Sequence, residues 1–213
     1  RRLSSYLNSI FSNVEKSDSE IQNKTEQIIE NAGHGQFNLF ENTQEVNVVS
    51  DKKVIDQKII SNTSLELFMN RLQKQKNVSY SFLTEGGNFE NLEIKNISFS
   101  WENKLSYSIN DENRDFDKIL KIFFEDKNIT KISNDIKQDI KLLSKKNIKV
   151  NGRVFDIKLA HYLINPDINH DIVNLSKNYL NIKSIDLKSS EISELTHQLK
   201  PLLEKDLEKY NQI

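Results

Sequence analysis

The hydrophobic pattern is densest over residues 128–181. A short β-prone run covers 129–132, and then Ile136, Ile140, Leu142 and Leu143 recur at helical spacing. Asn151-Gly152 is a turn dipeptide ahead of an apolar strand at Val154 and Phe155. A second helix carries Leu159, Ala160, Tyr162, Leu163 and Ile164. It stops at Asn165-Pro166, because a residue before proline is pushed out of the helical region. Ile172, Val173, Leu175, Tyr179 and Leu180 mark a third helix. Strand, helix, strand, helix, helix makes an α/β core.

Upstream, residues 46–49 and 54–60 are β-prone, and 61–64 offer N-cap residues for a helix over 65–74 with Leu65, Leu67, Phe68, Met69 and Leu72 on its buried side. From Val78 the text alternates. A strand runs to Glu85, Gly86-Gly87 turns the chain, and Ile94, Ile97, Phe99, Trp101, Leu105, Tyr107 and Ile109 predict two antiparallel strands turning at residues 102–104. Residues 115–125 form a helix with Phe116, Ile119, Leu120, Ile122, Phe123 and Phe124. Residues 189–213 form a last helix that buries Leu195, Leu199, Leu202, Leu203 and Leu207, with a kink expected at Pro201. By contrast, residues 12–45 are polar and aperiodic and read as a flexible linker. Within it Gly33 to Asn42, GHGQFNLFEN, is either an apolar clip for a partner or a semi-ordered loop.

Composition narrows the classes. The 213 residues suffice for one sizeable core and a tail. Thirty basic against 31 acidic side chains leave a net charge of −1, whereas a chain gripping many phosphates is usually basic. Cysteine is absent, which removes disulfides and thiolate metal sites. No run approaches a membrane-spanning length and no signal-peptide core is present, so a soluble cytoplasmic protein without a membrane partner is expected. Alanine occurs only at positions 32 and 160, while Asn, Ile and Lys abound, the mark of an AT-rich coding bias.

Four spaced blocks carry a resemblance: KISNDIKQD (131–139), GRVFDI (152–157), AHYLINPD (160–167) and NLSKNYLN (174–181). In order and distance they resemble the K-[IV]-G-Q-N-L-K-[YF]-D, G-x-x-F-D-T, L-x-N-P and L-[AS]-x-x-[YW]-L motifs of the 3′–5′ exonuclease domain of bacterial DNA polymerase I. The resemblance implies a ribonuclease-H-like mixed sheet flanked by helices, the DnaQ-like exonuclease fold, over residues 46–213. Residues 1–45 would then be an interdomain linker and the end of a preceding 5′-nuclease domain. RRLSSYLNSIF (1–11) is either that domain's closing segment or a frayed helix.

The family's chemistry needs carboxylates converging on two divalent ions, magnesium or manganese, about 4 Å apart. The motifs that supply them are degenerate here. Phe82-Leu83-Thr84-Glu85 stands for F-D-T-E, so Glu85 matches and Leu83 replaces an aspartate. Asp139 matches the end of the second motif. In the third, aligned by residues 194–200, Lys188 replaces the tyrosine and Ile192 the aspartate. Leucine and isoleucine cannot ligate a metal, so no catalytic residue, metal or cofactor is expected, and Glu85 and Asp139 are remnants.

Three readings stand. One is a non-catalytic connector between polymerase and 5′-nuclease domains, which meets the DNA primer-template through its parent polymerase. Its phosphate contacts would come from Lys137, Lys141 and Lys145 within the basic stretch that also holds Lys131, Lys146, Lys149 and Arg153. A solvated face is the bland alternative for that stretch. The second is an active two-metal exonuclease rebuilt from Glu90, Glu93, Asp135 and Glu191 with Glu85 and Asp139. The third is an interaction domain outside replication. Asp156 is expected to support the fold, His161 to pack or lie exposed, and His170-Asp171 to cap a helix.

Overall fold

Serine at position 61 starts the first helix as its sequence requires. Ser61 Oγ accepts from the Ser64 amide and Ser64 Oγ accepts from the Ser61 amide, a reciprocal cap that satisfies two otherwise orphaned N–H groups. The computed structural model describes residues 54–182 and 185–210. All of them lie in one compact unit, residues 50–213. Readings that concern residues 1–53 fall outside the described residues.

In chain order the elements are β1 (Ile55–Lys58), α1 (Asn62–Leu72), β2 (Asn77–Glu85), β3 (Glu93–Glu102), β4 (Leu105–Asn110), α2 (Phe116–Glu125), β5 (Thr130–Ser133), α3 (Ile136–Lys145), β6 (Val154–Asp156), α4 (Ile157–Ile164), α5 (Ile172–Leu180) and α6 (Ser189–Tyr210). One six-stranded sheet runs in the order β1-β4-β3-β2-β5-β6. The β2–β3 and β3–β4 pairs are antiparallel, and β1–β4, β2–β5 and β5–β6 are parallel. Only β3 therefore runs against the rest. The other five strands begin at one edge, here the lower, and end at the upper.

Period-two alternation gives the sheet two unlike faces. Tyr80, Phe99 and Tyr107 enter an aromatic core with Phe68 of α1 and Phe123 and Phe124 of α2. Trp101 stacks on Tyr107 at 4.5 Å between centroids. Their neighbours Ser79, Ser98, Ser100, Ser106 and Ser108 are also buried, under α6. Ser98 shares a hydrogen bond with Ser189 (2.8 Å) and Ser106 with Ser193 (3.0 Å), so small hydroxyls let the helix lie close and remain satisfied. A second apolar core joins Ile132, Ile157, Leu175, Leu195, Leu199 and Leu203.

Most predicted elements form. Leu67, Ile122, Ile140, Leu159, Tyr162, Leu163 and Val173, however, are exposed, because each sits off the strip that its helix presents to a core. Leu202 is half-buried. Helix α6 continues through Pro201 to Tyr210.

Candidate functional site

The upper edge is where the family's carboxylates belong, and each candidate can be followed there. Strand β2 ends in Leu83, Thr84 and Glu85, with a register irregularity between Leu83 and Thr84. Leu83 pairs with Asn96 of β3 and is 48% exposed, an aliphatic group open to solvent. It lines a cavity of about 760 Å³ with Asp56, Lys58, Asn96, Asn110 and Leu187. Glu85 is exposed and lies opposite Glu93, a like-charge pair for which Lys95, bonded to Glu93, supplies the counter-ion.

Asp139 lies in the first turn of α3 and its carboxylate is turned inward. Its Oδ2 accepts from the Tyr80 hydroxyl (2.8 Å) and from the Ser133 hydroxyl at the end of β5. Burial pushes the Asp139 pKa up to about 6, against the pull of those two hydrogen bonds and with added repulsion from Asp135 and Asp156. Burial and the Asp139 charge likewise hold the Tyr80 hydroxyl well above the ordinary tyrosine value. Ser133 stands where the family motif has glycine. Its hydroxyl is an additional donor that holds the carboxylate against the sheet.

The neighbouring acids are engaged in the fold. Asp135 caps α3 through the Gln138 amide (3.3 Å) and pairs with Lys158 (3.0 Å). Asp156 receives the Leu159 amide on Oδ1 and the Ile136 amide on Oδ2, both at 2.8 Å, and so ties the starts of α4 and α3 together. That is the supporting role expected of it. Asp171 caps α5 (2.8 Å to the Asn174 amide). His161 is buried and its Nδ1 lies 2.8 Å from Nδ1 of His170, so His170 pairs with a ring and leaves the cap to Asp171.

Ile192 is half-buried on α6. Lys188 pairs with Asp186. Of the residues from which a site would be rebuilt, Glu93 is held by Lys95 (2.9 Å) and Glu191 accepts the Asp186 amide (2.7 Å). Glu90 is exposed beside the turn that follows β2.

The basic stretch also divides. The Lys131 ammonium is buried and donates to the carbonyls of Asp126 and Asn151 (2.7 Å to the latter). Lys145 donates to the carbonyls of Glu90 (3.1 Å) and Leu92 (3.3 Å), and Lys146 pairs with Asp117 (2.7 Å). Lys137, Lys141 and Lys145 follow one another at four-residue spacing on α3.

A pair of divalent ions needs several hard oxygen donors at once. Leu83 offers no oxygen, and Asp139 Oδ2 accepts two hydroxyl hydrogens. Among the described residues no three or more His, Asp or Glu side chains come together to hold a cation.

The sheet order, the lone reversed strand and the helices on both faces define a ribonuclease-H-like fold of the exonuclease type. Within that class the chain resembles the exonuclease domain of DNA polymerase I: residues 84–189 match the family described as "DNA polymerase I, ribonuclease H-like domain". Among solved structures, Brucella melitensis NrnC with bound Mg2+ is 17% identical, with a TM-score of 0.56 over 75% of this chain and 83% of that one. The POL domain of Pol1 from M. smegmatis, in complex with DNA primer-template and dNTP, is 13% identical with a TM-score of 0.61 over 72% of this chain and 28% of that one. Escherichia coli RNase D is 10% identical with a TM-score of 0.62, covering 75% and 47%. At these identities the likeness is one of fold. No curated protein sequence matches.

Proposed function

We propose that residues 46–213 are a non-catalytic 3′–5′ exonuclease-like domain of a family A DNA polymerase, following a linker over residues 1–45. Its work is architectural, as a cytoplasmic connector between covalently linked 5′-nuclease and polymerase domains in replication and repair. It meets the primer-template through that parent polymerase. The observation that carries this reading is the Tyr80–Asp139–Ser133 arrangement beside Leu83. One family carboxylate is replaced by a side chain without oxygen, and its half-buried partner accepts hydrogen bonds from Tyr80 and Ser133.

Calorimetric titration of magnesium and of manganese into the full chain tests it. No heat beyond dilution is expected with either ion. Saturable binding lost in both Glu85→Gln and Asp139→Asn would establish instead the alternative, an active two-metal exonuclease with a rebuilt site.

A further inference from the structure

A net charge of −1 conceals a separation of charge between the two edges of the sheet. At the upper edge stand Glu85, Glu93, Asp111, Asp135 and Asp156, at or just beyond the strand ends. At the lower edge, where β2, β5 and β6 begin, stand Lys74, Lys76, Lys127, Lys149 and Arg153, all exposed. None of these five forms an ion pair with a described residue.

Backbone contacts draw the lower cations together. The Lys76 carbonyl accepts the Thr130 amide (2.8 Å) and the Arg153 carbonyl accepts the Lys131 amide (3.0 Å). Lys76 and Arg153 thus flank β5 on either side, roughly 10 Å apart at two strand spacings. Gly152, at φ +82°, backs so closely onto Lys127 that a Cβ there would lie 2.8 Å from the Lys127 carbonyl oxygen. That approach puts Lys127 beside Arg153. Beneath lies the buried Lys131, whose ammonium nitrogen donates to the Asn151 carbonyl (2.7 Å). The acids nearby are Glu125, which accepts the Lys149 amide at 3.5 Å, and Asp126, which accepts the Asn128 amide at 2.7 Å. With Glu102, exposed at the end of β3 beside the start of β2, five cations face three carboxylates and the edge stays positive.

We infer that this lower edge is a phosphate-backbone contact for duplex DNA, on the side of the sheet opposite the family's catalytic edge. Unpaired lysine and arginine heads in a row release counter-ions on meeting a polyphosphate and impose no sequence preference. At the upper edge Lys95 pairs with Glu93 and Asp111, and Lys158 with Asp135, so cations and acids there meet each other. The inference rests on the proposed placement beside DNA only for its choice of polyanion. It stands whether or not the upper edge hydrolyses anything.

The test is fluorescence anisotropy of a labelled duplex with the full chain in EDTA across a salt series, so hydrolysis cannot enter the readout. The unmodified chain is expected to bind with an affinity that falls steeply with salt. The variant Lys76→Gln/Lys127→Gln/Arg153→Gln should bind at least about tenfold more weakly and lose about 3 from the slope of log K against log salt. Lys137→Gln/Lys141→Gln on α3 should bind like the unmodified chain. Circular dichroism melts of each variant establish that the fold is kept. Absence of duplex binding would overturn the inference, as would loss confined to the α3 variant. Displacement of the duplex by poly-glutamate as readily as by unlabelled duplex would overturn it too, because the edge would then be a general acidic-chain surface.

Discussion

Asp139 is where one residue decides between chemistry and architecture. A catalytic carboxylate must present its oxygens to solvent and metal, and this one accepts from Tyr80 and Ser133 inside the fold. Its pKa of about 6 lies above the ordinary aspartate value of 3.8, so the folded state favours the protonated form. The stability it contributes is therefore complete below about pH 4 and is lost as pH rises through about 6. At about 1.4 kcal/mol per unit, the change is about 2 kcal/mol between pH 4 and pH 7. Asp139→Asn keeps an acceptor for Tyr80 and removes the titration. Urea unfolding over that range should show the unmodified chain losing about that much more stability than the variant. Parallel pH profiles would contradict the assignment. Much of this was legible, since Leu83 in place of an aspartate and Ser133 in place of a glycine can both be read from the motifs. The direction of the carboxylate was not, because it depends on Tyr80, 59 positions away.

At the scale of elements, the caps and the hairpin follow from local sequence. Ser61, Asp135, Asp156 and Asp171 each start a helix, and the β3–β4 turn falls at the predicted residues with Lys104 at φ 65°. The burial of the serines did not follow. Ser79, Ser98, Ser100, Ser106 and Ser108 alternate with aromatic and apolar residues as a solvent-facing strand edge would, and only the passage of α6 across them shows that they are covered. The same limit explains Leu159, Tyr162 and Leu163, since helical spacing gives a strip but not which way it faces. Asp156 tests the element scale because it holds two helix starts with one carboxylate. Asp156→Ala should cost about 2 kcal/mol in denaturant unfolding, roughly twice the cost of Asp171→Ala, which unties one helix. Equal losses would mean that the link to Ile136 contributes nothing.

At the scale of the molecule, a near-neutral chain reads as a poor nucleic-acid binder, whereas the fold gathers exposed cations without ion pairs where β2, β5 and β6 begin. Composition cannot show this, since Lys76, Lys127 and Arg153 meet only through the parallel pairing of β2, β5 and β6. Among the described residues no helix is long and apolar enough to cross a membrane. The fold is that of an exonuclease, and under the proposed function it carries no exonuclease chemistry. The direct measurement is degradation of a 3′-labelled single strand by the full chain with magnesium and with manganese, with Asp139→Ala beside it. The expected result is an intact strand in every lane. Metal-dependent shortening from the 3′ end that disappears in Asp139→Ala would contradict the account and return Asp139 to the catalytic machinery.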